Sequence, residues 1–193
     1  MNSTRNWAET KPAGASLPPG GYVAYLIRVD DEYGKEYLKF EFDIAEGDYR
    51  RYYSDRQAKN PDWNWGGVLI RSYKESASGF FRTFLEQLEA SNPGQFKADA
   101  FNNDERMLLK KYIGVILGEE EYQKQDGSIG KRVRVADTCA IEDIRAKKFT
   151  VPELKKYEPP AVPKPTVTYS PGAPGYNGQP DFDEIAGDDN LPF

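Results

Sequence analysis

The chain has 193 residues, enough for one domain of ordinary size with flexible ends. It contains no histidine and a single cysteine, Cys139, which excludes histidine-dependent catalytic triads, histidine metal sites and an internal disulfide. The net charge is −5, and no apolar run approaches the roughly 18 residues of a membrane span or forms the core of a signal peptide. We therefore expect a cytoplasmic protein.

The first strands are predicted after a flexible N-terminal arm, residues 1–17, which is polar and interrupted by glycine and proline. A folded domain is predicted over residues 18–156. Tyr22 to Val29 is an apolar run of strand length, and apolar and polar residues alternate from Tyr37 to Ile44. These patterns predict two strands joined by a turn over residues 30–34. A third strand is predicted over residues 66–73.

The segment from Tyr49 to Trp65 combines aromatic rings with cations, as expected where bases stack and phosphates are bound. On a strand, Tyr49, Arg51 and Tyr53 would share one face and Arg50 and Tyr52 the other, so one set would line a groove. The candidate DNA-binding residues of this segment are Tyr49, Arg50, Arg51, Tyr52, Tyr53, Arg56, Lys59, Trp63 and Trp65. The alternative for these aromatics is partial burial at a barrel edge.

A helix is predicted next, because Phe80, Phe81, Phe84, Leu85 and Leu88 recur at helical spacing. Ser78 is the predicted N-cap, and Asn92-Pro93-Gly94 the stop. A shorter helix is expected within residues 104–110.

Two further strands, over residues 112–117 and 132–136, flank the turn signal Asp126-Gly127 and predict a hairpin. Lys131, Arg132 and Arg134 form a second candidate DNA-binding cluster, with an ordinary solvated sheet face as the alternative. Strands followed by a helix and more strands predict a mainly β domain. The specific expectation is a small Greek-key barrel of the oligonucleotide-binding (OB) type with one or two inserted helices.

Residues 157–187 are rich in proline and glycine and predict a disordered linker. Residues 157–193 contain one basic and six acidic side chains, which leaves 25 of each sign in residues 1–156. The whole charge imbalance therefore lies in an acidic tail, and DNA binding by the neutral body would require local clustering of cations.

The last six residues, 188–193, have the chemistry of a docking peptide. Phe193 offers a ring for an apolar pocket and the terminal carboxylate for a cation, while Pro192 restricts the backbone before it. The predicted partner-docking residues are Asp188, Asp189, Leu191, Pro192 and Phe193. The alternative is an acidic end that only solubilises the chain.

This ending resembles the acidic tip of bacterial and phage single-stranded-DNA-binding proteins, in which aspartates precede Ile-Pro-Phe. Leu191 stands in place of the isoleucine and Asn190 in place of one aspartate. The body, from Gly20-Gly21-Tyr22 to Glu120-Glu121-Tyr122, resembles small phage proteins of replication and recombination. The resemblance implies a non-enzymatic protein that coats single-stranded DNA during replication, recombination or repair. Its tip would recruit a polymerase, helicase, primase, recombinase or nuclease.

Two other functions stay open. Residues 119–121, or residues 30–32, could contribute carboxylates to a metal-dependent nuclease or resolvase of phage recombination, although a solvated acidic cluster is the simpler interpretation. The second open function is that of a protein–protein adaptor that does not bind DNA. We expect no metal, no cofactor and no membrane partner, and a homo-oligomer is possible. Cys139 is interpreted as a small buried apolar residue.

Overall fold

The computed structural model describes residues 17–159. The chain divides into two units, residues 1–158 and 159–193, and the description below concerns the first. Most of the predicted arm and linker lies outside the described residues. So do the predicted docking residues Asp188, Asp189, Leu191, Pro192 and Phe193.

The described part of the chain is mainly β, as predicted. Its strands form one antiparallel sheet in the order β3-β2-β1-β4-β5. Three of the five strands, β1, β4 and β5, are longer than the sequence predicted, whereas β2 has the predicted bounds and β3 is shorter. Their bounds are β1 (Gly20–Glu32), β2 (Tyr37–Ile44), β3 (Val68–Ser72), β4 (Tyr112–Gln123) and β5 (Ile129–Cys139).

Strand β1 is the centre of the sheet and joins its two halves. Residues 20–25 pair with β4, and residues 24–32 pair with β2. The register with β2 shifts between Leu26 and Arg28, where Ile27 is left 40% exposed. Such an irregularity increases the local twist of a strand, so the sheet curls around its apolar face.

Strands β3 and β5 are the edges of the sheet, and side chains connect them. The Arg71 guanidinium on β3 donates a hydrogen bond to the Thr138 hydroxyl on β5 over 2.7 Å. Gln87 of the helix between them accepts from that hydroxyl and donates to the Thr138 carbonyl. The observed sheet is therefore open, and polar side chains bridge its edges.

Three helices occur in residues 17–159: α1 (Tyr52–Lys59), α2 (Ser78–Ser91) and α3 (Ile141–Arg145). Helix α2 is the predicted helix, and it ends before Asn92 as expected. Ser78 is not its N-cap, because a short 3-10 turn precedes it and the Ser78 hydroxyl donates to the Glu75 carbonyl. Near the second predicted helix the chain forms a 3-10 turn, Glu105–Leu108. None of the helices described is long and apolar enough to cross a membrane.

The core lies between the curled sheet and α2. The rings of Phe40 on β2 and Phe84 on α2 meet edge to face at 5.2 Å. Leu17, expected in the flexible arm, is buried in this core at 3% exposure. The fully buried Asn92 side chain exchanges hydrogen bonds with the backbone N–H and carbonyl of Tyr112, and so fixes the start of β4 against the end of α2.

Candidate nucleic-acid interface

The segment from Tyr49 to Trp65 connects β2 to β3. Tyr49 to Tyr53 does not form a strand, which was the condition for the two faces described above. Arg51 has a left-handed backbone, with φ of 62°, and α1 begins at the next residue. The cause is Asp43, whose buried carboxylate accepts hydrogen bonds from the amides of Tyr53 and Ser54. It therefore satisfies amides of the first helical turn, which otherwise lack partners. The predicted alternation of faces does not apply to this segment.

Two of the predicted binding aromatics belong to the core. Tyr53 is 8% exposed, and its ring lies 5.5 Å from Phe42 and 6.2 Å from Trp65. The Trp65 indole N–H donates to the Phe42 carbonyl over 3.0 Å. Gly67 allows this packing, because a side chain there would collide with the Tyr53 ring and the Phe42 carbonyl. The side chains of Tyr53 and Trp65 therefore pack in the domain core and do not form an exposed stacking surface.

Tyr49 and Tyr52 are half-buried in a smaller aromatic cluster. The Tyr49 ring lies edge to face with those of Tyr22 and Tyr52, at 5.8 and 6.2 Å. The Tyr52 hydroxyl accepts a hydrogen bond from the Leu17 amide. Burial and the neighbouring Tyr49 raise the pKa of Tyr22 to about 12. These contacts pack the N-terminal end of the domain against the start of α1.

Trp63 is the aromatic side chain of the segment that faces solvent, at 50% exposure. The Arg56 guanidinium of α1 lies over its ring, 4.7 Å from the centroid, which is a cation–π geometry. Arg50, Arg51 and Lys59 are also exposed on or next to α1. The long Arg51–Asp55 contact, 3.8 Å between exposed groups, neutralises little of this charge. The structure therefore brings an exposed ring and a cation together, as stacking on single-stranded DNA requires.

The second predicted cluster lies on the β4–β5 hairpin. Arg132 and Arg134 share one face, where both pair with the Glu120 carboxylate at 2.5 and 3.2 Å. The Arg132 guanidinium also lies 4.8 Å from the centre of the Tyr122 ring. Lys131 is exposed and stands opposite Glu121 in the register. One acidic side chain thus compensates much of the charge of this cluster.

Four of the six carboxylates considered for a nuclease are used in other contacts. On β4, Glu120 pairs with the arginines, and Glu121 accepts a hydrogen bond from the Tyr157 amide. Asp30 pairs with Arg28, and Asp31 accepts from the Tyr73 hydroxyl. Within residues 17–159, no group of three or more acidic or cysteine side chains is placed to hold a metal ion.

Cys139 is half-buried beside the outer face of the sheet. Burial, with Asp143 and Asp137 nearby, raises the pKa of its thiol to about 11. The group is therefore a neutral thiol at physiological pH.

Several exposed residues were not among the predicted site residues. Tyr33, in the turn between β1 and β2, is 83% exposed, and Ile70 on β3 is 48% exposed. Lys39 stands next to Ile70 across the β2–β3 ladder. The alternating pattern of β2 indicated that Lys39 points away from the core. No pattern in the sequence indicated that Tyr33, in a turn, and Ile70, in a short strand, would be exposed.

No protein-family model matches this chain, and a search of curated proteins finds no match.

Proposed function

We propose that this protein binds single-stranded DNA and recruits replication or recombination proteins through its acidic C-terminal tip. The observation that carries the DNA-binding half is the exposed Trp63 ring beneath the Arg56 guanidinium, flanked by Arg50, Arg51 and Lys59. Ring faces stack on bases of any sequence, and neighbouring cations follow the phosphates. A surface of this kind favours flexible single strands over duplex, whose bases are already stacked.

The topology supports the proposal. Five antiparallel strands with a helix between β3 and β4 fit an OB barrel that is open between β3 and β5. OB folds bind oligonucleotides on the face of strands 2 and 3 and on the β1–β2 and β4–β5 loops. In this chain the exposed face of β2 and β3 carries Lys39 and Ile70, and the connection between these two strands carries α1, Arg56 and Trp63.

Binding of single strands tests this half of the proposal. The full chain is titrated into fluorescein-labelled oligo(dT), and into a duplex of the same length, while anisotropy is recorded at several salt concentrations. We expect tighter binding to oligo(dT), weakening as salt rises because bound cations displace counterions. The absence of binding to oligo(dT) at low salt would refute the proposal, and equal binding to the duplex would refute its preference for single strands.

The recruitment half rests on the sequence of the tip. Phe193, after Leu191 and Pro192, offers a ring for an apolar pocket, and Asp188 and Asp189 steer this segment toward basic surfaces. Deleting Phe193 should abolish capture of polymerase, helicase, primase, recombinase or nuclease partners in pull-downs. DNA affinity should stay equal or rise, because acidic residues compete with phosphate. Unchanged capture of such partners would contradict a docking role.

A further inference from the structure

A cavity of about 470 Å³ opens at one end of the domain, away from the Trp63 segment in the chain. It lies between the β1–β2 turn, the end of β3, α2 and the connection around residues 101–105. Its volume falls within the range of cavities that bind small molecules or inserted side chains. The cavity plays no part in the proposed DNA interface.

Four of the eleven residues that line this cavity are aromatic. The Phe81 ring lies 6.3 Å from the ring of Tyr73 and 6.0 Å from that of Phe101. Tyr33 stands at the opening with most of its surface exposed. Aromatic faces carry partial negative charge, and they attract either a flat base or a cation.

The charges around the cavity are mainly acidic. Asp31 and Glu105 line it, and one carboxylate oxygen of Asp31 accepts the Tyr73 hydroxyl over 2.8 Å. Partial burial, that hydrogen bond and the charge of nearby carboxylates raise the pKa of Tyr73 to about 12. Arg82 is the basic residue of the lining, and it pairs with Glu86 at 2.8 Å and Asp99 at 2.7 Å. The carboxylates of the lining therefore set its charge.

The acidic charge of the lining determines which kind of ligand the cavity can bind. A nucleotide would bring a phosphate next to Asp31 and Glu105, and the acidic C-terminal segment of a second copy would bring further carboxylates. Both are repelled by like charge. A guanidinium or ammonium group would gain from the carboxylates and from the aromatic faces together.

We propose that this cavity, lined by Tyr33, Tyr73, Phe81, Phe101, Asp31 and Glu105, binds an arginine or lysine side chain of a partner protein. The cation lies between the carboxylates and the rings. An apolar neighbour in the partner's sequence fills the remaining volume. The domain then has a protein-binding surface distinct from its DNA-binding surface, and this inference does not depend on the proposed function.

The test is a ¹H–¹⁵N NMR titration of the full chain with acetyl-Leu-Arg-Leu-amide. The charge-reversed peptide acetyl-Leu-Glu-Leu-amide is the matched ligand. We expect saturable shifts at the amides of Tyr33, Tyr73 and Phe81 with the arginine peptide, and none with the glutamate peptide. Asp31→Asn and Glu105→Gln should each lower the affinity for the arginine peptide by about tenfold, which corresponds to the loss of one charge-assisted hydrogen bond.

Glu153→Gln is the control variant, since it removes one exposed carboxylate from a segment that does not line the cavity. It should bind the arginine peptide like the unaltered chain. Glu105→Gln decides the matter if Asp31→Asn fails to fold, because Asp31 also holds Tyr73. The proposal is overturned by equal shifts with both peptides, by no shifts at the cavity, or by undiminished binding to Glu105→Gln. Stronger cavity shifts with thymidine monophosphate than with the arginine peptide would overturn it too.

Discussion

At the scale of single residues, burial separates the aromatics that the sequence placed in one group. Tyr53 and Trp65 are held by the Phe42 ring and carbonyl, whereas Trp63, two residues from Trp65, is half exposed beneath Arg56. Nothing in the local sequence distinguishes the two tryptophans, because the difference depends on contacts with a strand some 20 residues earlier. The cation–π pair makes Trp63 and Arg56 the first choice among the predicted residues.

The charge of Arg132 and Arg134 depends on one neighbour, Glu120. Replacing it by Glu120→Gln leaves two arginine charges without their partner on the same face of the hairpin. If this face contacts phosphates, affinity for oligo(dT) at low salt should rise. The plot of log K against log salt should steepen by about 0.7 for each phosphate gained.

Glu142→Gln is the matched control for that variant. Glu142 pairs with Arg145 on α3, outside both predicted DNA-binding clusters, so its replacement should leave the salt dependence unchanged. Anisotropy titrations of the two variants side by side give the comparison. An unchanged affinity and slope for Glu120→Gln would assign Arg132 and Arg134 to an ordinary solvated sheet face.

At the scale of secondary structure, the elements with a clear hydrophobic period were predicted from the sequence. The alternation from Tyr37 to Ile44 predicted β2, and the spacing of Phe80, Phe81, Phe84, Leu85 and Leu88 predicted α2. Phe80 is the exception in that set, since it is 80% exposed. In both elements, the residues that set the period are mostly those that the core buries. The period of apolar residues along the sequence reflects which face of an element is buried, and for this reason these two elements could be predicted.

Helix α1 shows why the remainder could not be predicted. Tyr49 to Tyr53 contains three tyrosines and two arginines, and aromatic residues are common in strands. A hydrogen-bonding carboxylate from β2 overrides that preference, since Asp43 accepts from two amides at the start of the helix. The determinant is ten residues away and buried. For that reason the division of the candidate site into two faces, which held only if this segment were a strand, does not apply.

At the scale of the whole molecule, the neutral body has an uneven distribution of charge. Arg50, Arg51, Arg56 and Lys59 are grouped around α1, while Asp31 and Glu105 line the aromatic cavity. The sequence revealed the first group, which is continuous in the chain. The cavity joins residues from separate segments of the chain, so only the folded domain brings them together.

The open edge of the sheet is also a property of the whole fold. Arg71, Thr138 and Gln87 come from β3, β5 and α2, and their hydrogen bonds span the gap between the edge strands. Side-chain bridges of this kind let the two halves of the sheet approach without ladder bonds. The sequence predicted the strands, whereas the bridge between the two edge strands depends on a polar contact between residues 67 positions apart.

The central claim is that single-stranded DNA binds at the exposed Trp63 and Arg56 pair, and the most direct test compares two alanine variants. Trp63→Ala removes the proposed stacking ring. Phe80→Ala removes an even more exposed ring, 80% accessible, at the start of α2. In anisotropy titrations with oligo(dT), we predict that Trp63→Ala weakens binding by about tenfold, the worth of stacking on one base, and that Phe80→Ala binds normally. Normal binding by Trp63→Ala, or equal losses in both variants, would contradict the account.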